Sequence, residues 1–196
     1  LYASDIEKAE MLGKSVYEIM SEDASCIPAG ADGLMFYPML VGQRCPFEDA
    51  NTSGCYIGIR PYHQKGHFVR SLMEGIALCL ADNYDVIRPM CGDISEMSVT
   101  GGGAASDLWC QILADVFGKK VVRYDSFAYG GAIGACMIAG CGAGIWNDLS
   151  EAADLLKINK VFMPHDDMHD VYEKMLKIYK KFYPSLKETF NDISNL

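Results

Sequence analysis

The chain has 196 residues, half of them hydrophobic and 22% charged, and its 17 Lys plus Arg against 26 Asp plus Glu leave a net charge of −9. This ordinary globular composition argues against disorder, and an acidic chain without a basic run argues against nucleic acid and anionic membrane as partners. The length suits one large domain or two small ones.

The first residue is Leu1 rather than Met. Opening directly on an amphipathic helix reads as the start of a fragment, or of a chain whose terminus was trimmed. Ser4-Asp5-Ile6-Glu7 has the form of a capping box. Apolar positions at Ile6, Ala9, Leu12, Val16, Ile19 and Met20 then predict a helix from about Asp5 to Met20. After a loop over Ser21–Asp32, the apolar run Leu34–Val41 reads as a strand, with Pro38 forcing an edge or bend. The Gly-, Pro- and Asp-rich stretch Gly42–Gly54 is a loop, and Cys55–Ile59 a short strand. From about Lys65 a long helix carries Phe68, Leu72, Ile76, Leu80 and Ile87 at helical spacing, with Pro89 beyond its end.

A β-α-β unit follows. Glu96–Thr100 is a strand, Gly101-Gly102-Gly103 a turn, Ala104–Phe117 a helix with Gly118 as its C-cap glycine, and Val121–Tyr124 the next strand. A small-residue helix covers about Gly130–Ala139, and a last helix starts near Asp170. The alternation predicts an α/β fold.

The eight cysteines include no CxxC pair and fall in apolar runs, which predicts reduced thiols acting as small core hydrophobes in a cytoplasmic protein. The uncharged stretch Ser126–Trp146 is dense in Gly and Ala, and reads as tight packing rather than a membrane span. His63/His67 and His165/His169 have the i, i+4 spacing of metal ligands. Without supporting acids they read as solvated or capping histidines, and no metal site is expected. Arg70 and Glu74 at i, i+4 read as a helix ion pair worth a few tenths of a kcal/mol.

The strongest local signal is Thr100-Gly101-Gly102-Gly103-Ala104-Ala105-Ser106, three glycines between a strand and a helix start. Glycines let a ligand approach the backbone, and free N–H groups at a helix start suit an anion. A tight turn needing positive φ would explain the same residues. Gly101-x-Gly103-x-x-Ser106, with Asp125 ending the next strand, also nearly matches a dinucleotide fingerprint. Against that reading, the unit lies late in the chain with few elements after it.

Taken together, several segments resemble the C-terminal half of an FGGY-family carbohydrate kinase. Gly33-Leu34-Met35-Phe36-Tyr37-Pro38 and Gly42-Gln43-Arg44-Cys45-Pro46 resemble the family's apolar strand and its turn. Gly54-Cys55-Tyr56-Ile57-Gly58-Ile59, His67-Phe68 and Ser71-Leu72-Met73-Glu74 resemble its second signature, with Leu72 a small departure. The glycine turn, with Trp109, Gln111, Ala114 and Asp115 after it, resembles the adenosine-binding loop and helix. Gly131-Ala132-Ile133-Gly134-Ala135 resembles the small-residue helix that follows, and Tyr129 stands where many members carry an acid.

The resemblance implies an actin-like ATPase (ribonuclease-H-like) α/β domain lacking its N-terminal strands, with residues 1–196 a partial C-terminal kinase domain. It implies ATP and Mg²⁺, the latter held mainly by the absent portion, and transfer of the γ-phosphoryl group to a sugar hydroxyl. Xylulose is the expected sugar, gluconate the alternative, and a non-catalytic nucleotide-binding module the reading from another class. By this resemblance Gly101, Gly102, Gly103, Ala104 and Ser106 hold ATP, while the catalytic residues and most sugar contacts belong to the absent N-terminal domain. Glu74 is the signature acid and Arg44 a brace for its loop. ATP or ADP and a sugar are the expected partners, without nucleic acid or membrane, and homodimer formation stays open. A chain of this extent alone is expected to be inactive as a kinase.

Overall fold

The computed structural model describes residues 5–196. The opening helical pattern forms two helices rather than one, α1 (Ile6–Met11) and α2 (Val16–Ser25). Gly13 breaks it at φ +63°, a conformation that costs a side-chain-bearing residue energy. The capping box sits at the second start, where Ser15 Oγ accepts from Glu18 N and the Glu18 carboxylate accepts from Ser15 N. Ser4 of the pattern seen in sequence lies outside the described residues, and Asp5 makes no side-chain cap.

Strand β1 (Met35–Tyr37) stops immediately before Pro38 and pairs antiparallel with β2 (Cys55–Ile57). The apolar run therefore ends early, and Val41, read as strand, is 90% exposed. The long helix α3 (Lys65–Cys91) lies across β1. Gly75 makes the approach close: a Cβ there would fall 2.2 Å from the Phe36 carbonyl oxygen. Pro89 lies inside the last turn of α3 rather than beyond it, where the N–H it lacks costs one hydrogen bond near the end.

The expected β-α-β unit is present. Strand β3 (Glu96–Val99) is parallel to β4 (Lys120–Tyr124), and α4 (Asp107–Phe117) connects them, closed by Gly118 at φ +59°. Then come α5 (Gly130–Gly142), α6 (Leu149–Ala153), β5 (Ile158–Phe162), α7 (Asp166–Tyr179) and α8 (Phe182–Ser194). Neither α6 nor β5 was evident in the sequence, and α7 starts four residues ahead of the expected Asp170. Strand β5 joins β4 antiparallel, giving the order β3-β4-β5. That is not the parallel doubly wound sheet a dinucleotide-binding fingerprint requires.

The core lies where α3, α4 and α7 meet the sheets, around Tyr37, Leu78, Ile112, Val121 and Tyr172, all almost completely buried. Tyr37 stacks on Phe190 of α8 at 6.2 Å between ring centroids. All eight cysteines are free, but Cys110 alone of them is buried, and Cys26, Cys91 and Cys136 are exposed. The expectation of core thiols is corrected accordingly. These three lie at helix ends and on the open face of α5. Among the described residues no helix is long and apolar enough to cross a membrane.

Candidate functional site

The chain ends β3 at Val99 and enters Gly101 at φ +87°, a left-handed conformation suited to glycine. Gly102–Ala105 then makes a 3₁₀ turn, and α4 begins only at Asp107. The helix thus starts three residues later than the glycine pattern suggested. Ser106 is the reason: its hydroxyl accepts from Trp109 N at 3.2 Å and shares a 2.7 Å hydrogen bond with Ser21 Oγ of α2. The Ser106 side chain caps α4 and ties it to α2 before any ligand is considered.

The five residues singled out in sequence therefore stand differently. Gly102 and Gly103 are exposed, and nothing lies within 4 Å of where a Cβ on Gly101 or Gly102 would be. A Cβ on Gly103 would meet the Trp109 indole nitrogen at 3.3 Å. Ala104 is fully buried, and its carbonyl accepts from Arg123 Nη1 at 2.8 Å.

A second segment reaches the turn that sequence reasoning did not bring there. The loop after β4 forms a 3₁₀ turn at Phe127–Tyr129. The Phe127 carbonyl accepts both from Gly101 N and from Thr100 Oγ1, each at 2.7 Å. Gly130 closes the clasp, since a Cβ there would sit 1.9 Å from Thr100 Oγ1. The signal was the Gly130-Gly131 pair at a helix start, which marks close backbone approach. Two loops are thus locked together beyond the carboxyl ends of two parallel strands, where open α/β sheets form ligand crevices.

Charged groups bracket this clasp. Arg123 of β4 donates to Asp107 Oδ1 at 2.8 Å and lies 5.5 Å from the Phe127 ring centroid. Lys160 of β5 donates to the other Asp107 oxygen at 2.6 Å. The Lys160 and Arg123 hydrogen bonds hold the Asp107 carboxyl below its usual range, against a smaller opposing effect of burial. Asp125 accepts from Asn159 Nδ2 at 3.0 Å.

The remaining sequence candidates lie elsewhere. His67 Nδ1 accepts from Gln64 N at the start of α3, and His63 Nδ1 from Arg60 N, so these are capping residues. His165 and His169 both bind Asp115, the first at its carboxylate and the second at its carbonyl. Among the described residues no three His, Cys, Asp or Glu side chains converge as a metal site would need. Arg44 is exposed and makes no hydrogen bond or ion pair among them. Its neighbour Gln43 braces the loop instead: it is buried, accepts from the Tyr37 hydroxyl and donates to the Cys45 carbonyl at 3.2 Å. Glu74 lies fully buried with Arg70 and Tyr172, away from the glycine turn. Two surface clefts, of about 460 Å³ between α3, α4 and α7 and about 540 Å³ along α4 and β5, include no residue of the glycine turn in their lining.

Comparison with known proteins converges on one family. A family model, the C-terminal domain of the FGGY family of carbohydrate kinases, matches residues 3–143. A xylulose kinase of Staphylococcus epidermidis is 33% identical over 181 residues, 92% of this chain and 36% of that protein. A gluconokinase of Bacillus licheniformis is 28% identical over 98% of this chain and 38% of its own length. Among solved structures, a gluconate kinase from Lactobacillus acidophilus superposes with a TM-score of 0.78 at 28% identity, over 89% of this chain and 35% of that one. A xylulose kinase from the same organism gives 0.78 at 27%, over 93% and 37%. The chain thus spans little more than a third of the length of these relatives.

Proposed function

The chain belongs to the FGGY family of carbohydrate kinases and takes their actin-like ATPase fold, and from that premise we propose that it forms the C-terminal, nucleoside-holding domain of an ATP-dependent sugar kinase. The observation that carries this reading is the open glycine turn clasped to the Phe127–Tyr129 turn beyond β3 and β4. Phosphoryl transfer depends on positioning and charge stabilisation more than on covalent chemistry. What these residues contribute is positioning. Gly101, Gly102 and Gly103 present backbone without side chains, so the nucleoside of ATP can lie against it. Ala104 and Ser106 support the turn from beneath, through the Arg123 hydrogen bond and the cap of α4.

Xylulose and gluconate, the sugars in the names of the relatives, are the acceptors to test first. Mg²⁺ would arrive with the nucleotide's phosphates, because the described residues offer no cluster of ligands for it.

The test is a single substitution. No protein atom lies within 4 Å of a Gly102 Cβ, so Gly102→Val leaves the fold intact while filling the ligand's space. Calorimetry with ADP should detect binding to the parent and none to the variant, with matching thermal melts. Equal affinity in the two proteins would overturn the proposal.

A further inference from the structure

We propose that Tyr129 is the platform on which the nucleotide's purine base stacks, an inference that rests on the nucleoside-holding reading of the glycine turn. Tyr129 is 72% exposed, and its side chain makes no hydrogen bond or ring contact with any described residue. An aromatic ring so placed on a loose loop would mean little, since scattered exposed hydrophobics are normal. This one hangs from a fixed backbone. Tyr129 N donates to Ser126 O at 2.9 Å, and Phe127, two residues back, is bonded to both Thr100 and Gly101. Gly130, the next residue, packs directly on Thr100.

The Tyr129 Cα is therefore one residue, about 3.8 Å, from a contact with the strand end that leads into the turn. Residues of the Phe127–Tyr129 turn lie within 8 Å, Cα to Cα, of the Gly102–Ala105 turn, a gap that a tyrosine side chain can span to a base seated on Gly101 and Gly102. The chemistry fits as well. A purine presents two apolar π-faces, and glycine backbone on one side supplies hydrogen-bonding groups but no apolar wall. A tyrosine ring supplies that wall, with few rotatable bonds to immobilise. The phosphates need no part in this contact, so the ring sets affinity for the base and not for the polyphosphate.

The experiment measures calorimetric affinities of the 196-residue chain for ADP, adenosine and inorganic tripolyphosphate. Tyr129→Ala should weaken ADP and adenosine by about fivefold or more, the lower bound for one lost stacking contact. Tripolyphosphate should be unaffected, the melting temperature unchanged, and Tyr129→Phe should restore the parent affinity. If Tyr129→Ala binds ADP like the parent while Gly102→Val does not, the turn holds nucleotide without the ring and this inference fails alone. Equal weakening of tripolyphosphate would likewise overturn it. If the parent binds no ADP, the nucleoside-holding reading falls, and this one with it.

Discussion

Glu74 has no exposed surface, and one of its oxygens carries almost all of its contacts. Oε1 accepts from Arg70 Nε at 2.7 Å, from the Tyr172 hydroxyl at 2.8 Å and from Gly30 N at 2.9 Å, while Oε2 is buried without a partner. Burial pushes the carboxyl above its usual range, and Arg70, Gly30 and Tyr172 pull against it. Burial also lifts the Tyr172 phenol, helped by the Glu74 charge. Removing Arg70 leaves a buried carboxylate with two neutral donors and no counter-ion. Arg70→Met should therefore cost about 3–5 kcal/mol, and Arg70→Met with Glu74→Leu should recover most of it. Urea unfolding midpoints of the two variants decide the matter; a single variant within about 1 kcal/mol of the parent would mean an ordinary exposed pair. The i, i+4 spacing exposed the pair in sequence but misjudged its worth. Tyr172 lies 98 residues away and Gly30 lies 44 away, so no local pattern could show that the pair is interior.

At the scale of elements, Asp107 joins three of them. From the first turn of α4 it binds Arg123 of β4 and Lys160 of β5. Its folded pKa is depressed, so the folded state binds the proton more weakly than the unfolded one. The stabilisation is complete above the unfolded carboxylate value of about 4, and is lost as pH falls through the lower folded value. Asp107→Asn should melt below the parent at pH 7, and the gap should narrow as pH falls below the unfolded carboxylate value of about 4. A gap that persists at low pH would assign the effect to packing instead of charge. The other elements were unevenly legible. The parallel β3-α4-β4 unit followed from strand, glycine and helix signals in order, and it formed. The α1–α2 break did not, because the apolar spacing continues through Gly13. Strand β5 carries no alternation to find: Ile158, Asn159, Lys160 and Val161 are all exposed, and Phe162 alone is buried.

For the whole molecule, four short motifs in family order revealed more than any periodicity, because each fixes a backbone conformation. The clasp between Thr100, Gly101 and Phe127 was beyond reach, since a carbonyl acceptor leaves no trace in residue identity. The assembled molecule also constrains what it can do alone. Asp107 and Asp125, the carboxylates that follow the glycine turn and β4, are held by Arg123 and Lys160 and by Asn159. The hydrogen bonds and charges of Lys160 and Arg123 favour the ionised form of Asp107 and make it a poor acceptor for the proton of a sugar hydroxyl, which transfer requires. The 196-residue chain should bind ADP yet show no sugar-dependent ADP release from ATP with D-xylulose or D-gluconate. Robust turnover in a coupled assay would mean that the catalytic base lies within these residues.

The contact between Trp109 and Gly103 has a spectroscopic consequence. The chain holds two tryptophans, and they report on different places: Trp146 lies where a Cβ on Gly140 would be, and Trp109 lines the glycine turn. Indole emission shifts with the polarity around the ring. With Trp146→Phe, the remaining indole emission, excited selectively over the eleven tyrosines, would come from the turn alone. The protein would then carry its own optical gauge of occupancy, with no dye attached and no change to Gly101, Gly102 or Gly103.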